Sequence, residues 1–169
     1  VSGAPSATSP SSTGETTLTH GSTAQTVIYK YKRKDAGNVI VHHYEQGTTT
    51  QLVPDMTLPG AGKLGLPYTT TTQTIPNFTV VTVPSNQNGT YQSGNQTVTY
   101  YYKRNNAGSI TVHHYEVGQS TELYKPTGAT APSAEVFDGT GKLGLSETFV
   151  NREADIDNYE YVSVDTSGA

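Results

Sequence analysis

The sequence predicts an α+β protein, mainly β, built as tandem copies of one small sheet module with one short helix per copy. Three observations lead there: apolar residues alternate with a period of two, a long segment recurs within the chain, and strand formers abound where aliphatic residues are scarce. The 169 residues include 28 threonines and 12 tyrosines, both favoured on pleated, half-buried surfaces. Only 33% of residues are hydrophobic even with tyrosine counted, so any core must be thin. Cysteine is absent, which excludes a disulfide framework, a zinc-thiolate cluster and a catalytic thiol. A net charge of −4 with 14% charged residues offers no basic footprint for nucleic acid. Nothing approaches the ~20 apolar residues of a membrane span, so no membrane insertion is expected within this segment. The chain opens on Val1 and reads as a segment of something longer.

In chain order, residues 1–17 are, after Val1, Ser, Thr, Pro, Gly and Ala with one charge, at Glu15, and read as a flexible linker. Ala36 to Glu45 (AGNVIVHHYE) recurs as Ala107 to Glu116 (AGSITVHHYE) with seven of ten residues identical, an offset of 71. At the same offset Val27–Arg33 (VIYKYKR) matches Val98–Arg104 (VTYYYKR). Gly62–Leu66 (GKLGL) returns as Gly141–Leu145 at an offset of 79, so the second copy carries about eight extra residues between Glu116 and Gly141. Insertions of that kind sit in loops on a shared scaffold. The register predicts the terminal strand of a preceding repeat in 18–35, a complete repeat in 36–106, and a second repeat in 107–169 that lacks its last strand.

Within the complete repeat, Val39, Val41 and His43 fall on one face of a strand and Ile40, His42 and Tyr44 on the other. A second strand is expected near Thr49–Val53, ended by Pro54-Asp55. Pro59-Gly60-Ala61-Gly62 is turn chemistry. Tyr68–Ile75 is the one place for a short helix, and its counterpart Ser146–Asp155 is the better helix former. Phe78–Val83 alternates as a strand, 84–89 ends on the Asn-Gly hairpin signal, and Thr97–Lys103 closes the repeat with Val98, Tyr100 and Tyr102 on one face. Tyr29, Tyr31, Tyr100 and Tyr102 are expected to fill the thin core. The missing last strand of the second repeat would leave an edge beside Val162–Val164, and Val27–Arg33 is expected to pair with a sheet edge.

Gly37-x-Val39-x-Val41-x-x-Tyr44-Glu45, Gly62-x-x-Gly65-x-Pro67-Tyr68, Ile75-Pro76-Asn77-Phe78 and Gly89-Thr90-Tyr91 followed by Val98–Lys103 resemble the MucBP (mucin-binding protein) repeat of Gram-positive bacterial surface adhesins. The resemblance spans roughly 18–169. It implies a β-grasp, ubiquitin-like unit strung in tandem on an extracellular, cell-wall-anchored protein, with host mucus glycoproteins as partners. In the second copy Ser146-Glu147 stand where Pro67-Tyr68 stand in the first.

The His pairs 42–43 and 113–114 attract attention as metal ligands, but neighbours on a strand point to opposite faces and cannot share one ion. Glu153, Asp155, Asp157 and Glu160 are acidic enough for calcium yet lack the loop spacing and pivotal glycine of an EF-hand. No nucleophile-elbow motif occurs, and no enzyme, cofactor or metal site is assigned. Three Asn-x-Thr matches, at Asn77, Asn88 and Asn95, follow from Asn and Thr richness. Tyrosine suits sugars, its ring taking the C–H face and its hydroxyl a hydrogen bond. Tyr44, Tyr101 and Tyr115, on the faces away from the expected core, are the candidate ligand-binding residues. The expected function is a non-enzymatic adhesin segment that binds mucus glycoproteins weakly and multivalently, each repeat leaning on its neighbours. The alternatives are a structural stalk that spaces a distal binding domain from the wall, and a host-protein binder, for instance of immunoglobulin, acting through a sheet edge.

Overall fold

The computed structural model describes residues 17–166; the linker expected in 1–17 therefore lies outside the described residues apart from Thr17. Residues up to Lys32 form one unit and those from Arg33 another. In the first, the described residues carry no regular element, and the strand expected over Val27–Arg33 is absent: Tyr29 and Tyr31 are exposed, Tyr31 by 89%. A strand outside a sheet leaves its amides without partners, and no ladder forms along this segment.

The second unit is mainly β. Its complete repeat contains β1 (Val39–Glu45), β2 (Met56–Leu58), β3 (Pro67–Thr69), β4 (Phe78–Thr82), β5 (Asn88–Thr90) and β6 (Gln96–Arg104). A four-stranded sheet in the order β2-β1-β6-β4 is flanked by the two-stranded pair β3-β5. β1 and β6, the first and last strands, run parallel in unbroken register from Val39↔Gln96 to Glu45↔Tyr102, while β2 and β4 join antiparallel at the outer edges. Alternation in both central strands sends Val39, Val41, His43, Val98, Tyr100 and Tyr102 to one buried face. Tyr68, Ile75 and Tyr91 close over that face, with Leu52, Val53, Leu58, Phe78 and Val80 packed at its margin.

Tyrosine can fill this core because the polar tips of Tyr68, Tyr100 and Tyr102 are met. The hydroxyls of Tyr100 and Thr70 lie 2.8 Å apart, and Tyr102 accepts a 3.0 Å bond from the Gln73 amide. Tyr68 donates to the Asn86 carbonyl. These contacts also explain why the expected helix over Tyr68–Ile75 does not form. The threonine run is β-branched, and its extended path lets Thr70 bond Gln87 through both its amide and its hydroxyl while reaching Tyr100. Gly89, opposite Tyr68 in the β3-β5 ladder, is required there: a Cβ would stand 2.7 Å from the Tyr68 hydroxyl oxygen. The second strand also shifts. Over Thr49–Val53 only Gln51 bridges to Tyr44, Leu52 and Val53 then turn inward, and pairing resumes at β2 beyond Pro54.

In the second repeat β7 (Ile110–Val112) pairs with β8 (Glu135–Phe137) alone. The details of the first repeat recur: the Tyr115↔Glu122 bridge mirrors Tyr44↔Gln51, and Leu123 N–H to His114 C=O mirrors Leu52 to His43, both at 2.9 Å. Since β8 corresponds to β2 at the longer offset, the extra residues lie between Glu122 and Glu135. The helix expected in Ser146–Asp155 is reduced to one 3₁₀ turn, Glu153–Asp155, with no buried residue to hold it. Val162 and Val164 are exposed and outside any strand, so the expected edge beside them is absent.

Replacing Thr70 by Val keeps the volume but removes the partner of the buried Tyr100 hydroxyl. A loss of about 1–3 kcal/mol in urea unfolding is expected, with an unchanged far-ultraviolet spectrum.

Candidate functional site

Parallel pairing of β1 with β6 sets Tyr44 directly beside Tyr101 on the face opposite the core. In-register neighbours on adjacent strands stand about 4.8 Å apart in the hydrogen-bonding direction, so two tyrosines 57 positions apart in the chain become one aromatic patch. Tyr101 is 43% exposed and Tyr44 half-buried. One step along the same face His42 lies beside Thr99, and its ring stacks on Tyr44 with centroids 5.6 Å apart. Thr82 of β4 borders Tyr101 on the far side. The rim is polar: Asp55 takes His42 Nδ1 at 2.5 Å and accepts a 2.8 Å bond from Gln51 Nε2. An aromatic floor, a carboxylate, an amide, an imidazole and two threonine hydroxyls on an open face can grip a polyhydroxylated ring by stacking and by hydrogen bonds. The alternation of the sequence placed both tyrosines on the outward face, while the neighbouring Asp55 and Gln51 come from the polar turn one strand away, which the sequence did not bring beside them.

Tyr115 stands in a different setting. Its ring stacks on His113 at 5.1 Å as Tyr44 does on His42, yet its hydroxyl lies 2.8 Å from His113 Nδ1. Partial desolvation and then the Glu122 carboxylate push the Tyr115 phenol above its ordinary value. Among the described residues no strand flanks β7 in the place β6 holds beside β1, so Tyr115 has no counterpart of Tyr101.

The two histidine pairs diverge in the same way. His42 and His43 point to opposite faces of β1, and His43 is fully buried between Tyr100 and Tyr102. Its Nδ1 meets the Tyr102 hydroxyl at 3.0 Å, while Nε2 has no partner. Burial, with a smaller contribution from His42 and against the pull of Asp55, holds the imidazole below its usual value. His114 instead sits 3.3 Å from Glu135, which also binds Arg152 through two nitrogens. The Arg152 hydrogen bond leads in holding the Glu135 carboxyl below its ordinary range. Arg152 also lies over the Tyr124 ring, so it joins the start of the 3₁₀ turn both to Glu135 of β8 and to Tyr124. Among the described residues no three metal-ligating side chains gather, and none of the acidic residues at 153–157 joins such a group.

Comparison with known proteins now adds to this geometry. Residues 38–103 match the family model described as the MucBP domain. Residues 38–103 are a MucBP domain. The match spans β1 to β6, the strands that build the tyrosine patch. Among curated proteins the chain is similar to Internalin J of a Listeria monocytogenes serovar 1/2a strain, 34% identical over 150 residues. A second Internalin J, from a serotype 4b strain, is 31% identical over 142 residues. These alignments take in 77% and 82% of this chain but only 17% and 14% of the relatives, so the chain corresponds to a small part of their length.

The buried His43 makes stability depend on pH in one direction. Below about pH 6.5 the unfolded chain takes up a proton that folded His43 refuses, so its contribution is complete above that value and falls as the solution is acidified. Urea midpoints are expected to drop between pH 7 and pH 5. His43→Phe, which keeps the ring beside Tyr100 and cannot titrate, is expected to flatten that slope.

Proposed function

We propose that the chain is a repeat segment of a bacterial cell-surface adhesin, extracellular and non-enzymatic, whose MucBP repeats bind the sugars of host mucus glycoproteins weakly and in number. The observation that carries this reading is the register Tyr44↔Tyr101, which supports an open aromatic face rimmed by Asp55, Gln51 and His42. Similarity to part of Internalin J supports a repeat within a larger bacterial protein. The sheet order β2-β1-β6-β4 with its parallel central pair supports a β-grasp unit, and the recurring bridges and turn bonds support a tandem copy of it in 107–169. Anchoring of the parent protein to the cell wall belongs to the same reading.

A flat, solvent-open face gives modest affinity at each repeat. Linked repeats raise it through effective concentration, without any new contact. Among the described residues no helix is long and apolar enough to cross a membrane.

Binding to immobilised mucin, followed by surface plasmon resonance, tests the reading. Tyr101→Ala and Tyr44→Ala each remove one ring of the patch and are expected to cost about 1 kcal/mol, roughly a fivefold loss of affinity. Joining two copies of the chain in series is expected to raise apparent affinity by more than tenfold. Equal mucin responses from the wild type and both alanine variants would remove the tyrosine face from the site.

A further inference from the structure

Segments 33–36 and 104–107 each hold the Gly-Lys-Leu-Gly loop that follows them by the same side-chain and backbone bonds. At the first, Arg33 Nη1 donates to the Leu64 carbonyl at 2.9 Å, Leu64 N–H returns to Lys34 C=O at 3.2 Å, and Gly62 N–H is held by Asp35 Oδ1 at 2.7 Å. At the second, Arg104 Nη1 donates to Leu143 C=O at 3.1 Å, Leu143 N–H returns to Asn105 C=O at 3.1 Å, and Gly141 N–H is held by Asn106 Oδ1 at 2.9 Å. Ala36 to Gly60 and Ala107 to Gly139 complete each set with an amide-to-carbonyl bond. At the second, the residues that end and follow β6 thus grasp the Gly-Lys-Leu-Gly loop of the next repeat. This is the physical use of two recurring motifs that the tyrosine face leaves unexplained.

The second set joins two repeats. Arg104 is fixed on the first repeat by lying over the Phe78 ring, 4.5 Å from its centroid, with Glu45 3.9 Å away. Asn105 is bound to the same repeat by its amide to Asn77 C=O at 2.8 Å and by the Thr79 hydroxyl, which donates to its Oδ1 at 2.6 Å. The carbonyl of Asn105 and the guanidinium of Arg104 then reach into the second repeat. Gly144, at φ +78°, comes so close to Asn77 that a Cβ there would collide with the Asn77 amide group. A linker free to swing would hold neither an arginine clamped at both ends nor a glycine pressed against the neighbouring repeat.

We propose that this clasp is a coupling surface whose partner is the next repeat of the same chain, and that it fixes the angle and spacing between consecutive repeats. A tandem array built with it is a stiff rod that presents its tyrosine faces at set intervals. Stiffness also matters for avidity, because effective concentration falls when a flexible spacer spreads the second site over a larger volume. The coupling holds whatever the tyrosine face binds.

Distances between repeats test it directly. With no native cysteine, spin labels can be placed at Thr49→Cys and Gln119→Cys, both exposed and away from the clasp. Pulsed dipolar spectroscopy on the full chain is expected to give one narrow distance distribution. Arg104→Ala and Gly144→Ala are each expected to widen it at least twofold while the circular dichroism of the folded sheet persists. Asn106→Ala, which removes the side-chain bond to Gly141, is expected to widen it less; it serves as the second reading if Arg104→Ala unfolds the sheet. A distribution already broad in the wild type, or one unchanged in width by Gly144→Ala and Asn106→Ala, would overturn the proposal.

Discussion

Parallel pairing of β1 with β6 is the constraint on which the rest of the repeat depends. The two strands are the first and last of the repeat, so β2 to β5 are looped out between them: β2 and β4 add to the two edges of the sheet, while the segments around β3 and β5 bring Tyr68, Ile75 and Tyr91 against the buried face. That one register buries Val41 beside Val98 and His43 beside Tyr100, and it places Tyr44 beside Tyr101 on the other face. Core and candidate site are two sides of the same ladder. A slip of one residue would exchange them.

A core so poor in aliphatic side chains holds because tyrosine supplies large apolar area with a polar end. Burying such a group without a partner is costly, and the strap from Tyr68 to Ile75 supplies the partners: Thr70 for Tyr100 and the Gln73 amide for Tyr102. The threonine run therefore acts as a lining for the tyrosine tips, and its extended path follows from that task. His43 is the exception within this arrangement. Its unpaired Nε2 is tolerated because a neutral imidazole flanked by two tyrosine rings is less costly to bury than a charged one.

The second repeat illustrates the same dependence by contrast. With nearly the same opening sequence, β7 is three residues long where β1 has seven, and Ile110 is exposed where Val39 is buried. Around β7 the contacts are polar: His114 lies beside Glu135, and Arg152 binds Glu135 while covering Tyr124. An identical His-His-Tyr sequence thus yields a buried neutral histidine in one copy and a histidine beside a carboxylate in the other. Position within a completed sheet, rather than residue type, decides which.

The amino-acid sequence alone determined the period-two alternation of Val39–Glu45, Phe78–Val83 and Thr97–Lys103, the duplication at offset 71, and the outward facing of Tyr44 and Tyr101. These are local properties, since side-chain direction on a strand follows from pleating, and an internal copy can be read by aligning the chain with itself. Tertiary structure alone decided that β1 and β6 are neighbours, that Thr69–Thr72 stays extended, that β2 begins at Met56, and that Arg104 reaches Leu143. Each of these is a contact between distant parts of the chain. Local propensity is blind to them because the energy favouring them comes from partners that become adjacent only once the sheet has closed. Val27–Arg33 marks the boundary between the two kinds of knowledge: it has the composition of a strand, but without a ladder beside it that composition does not make one.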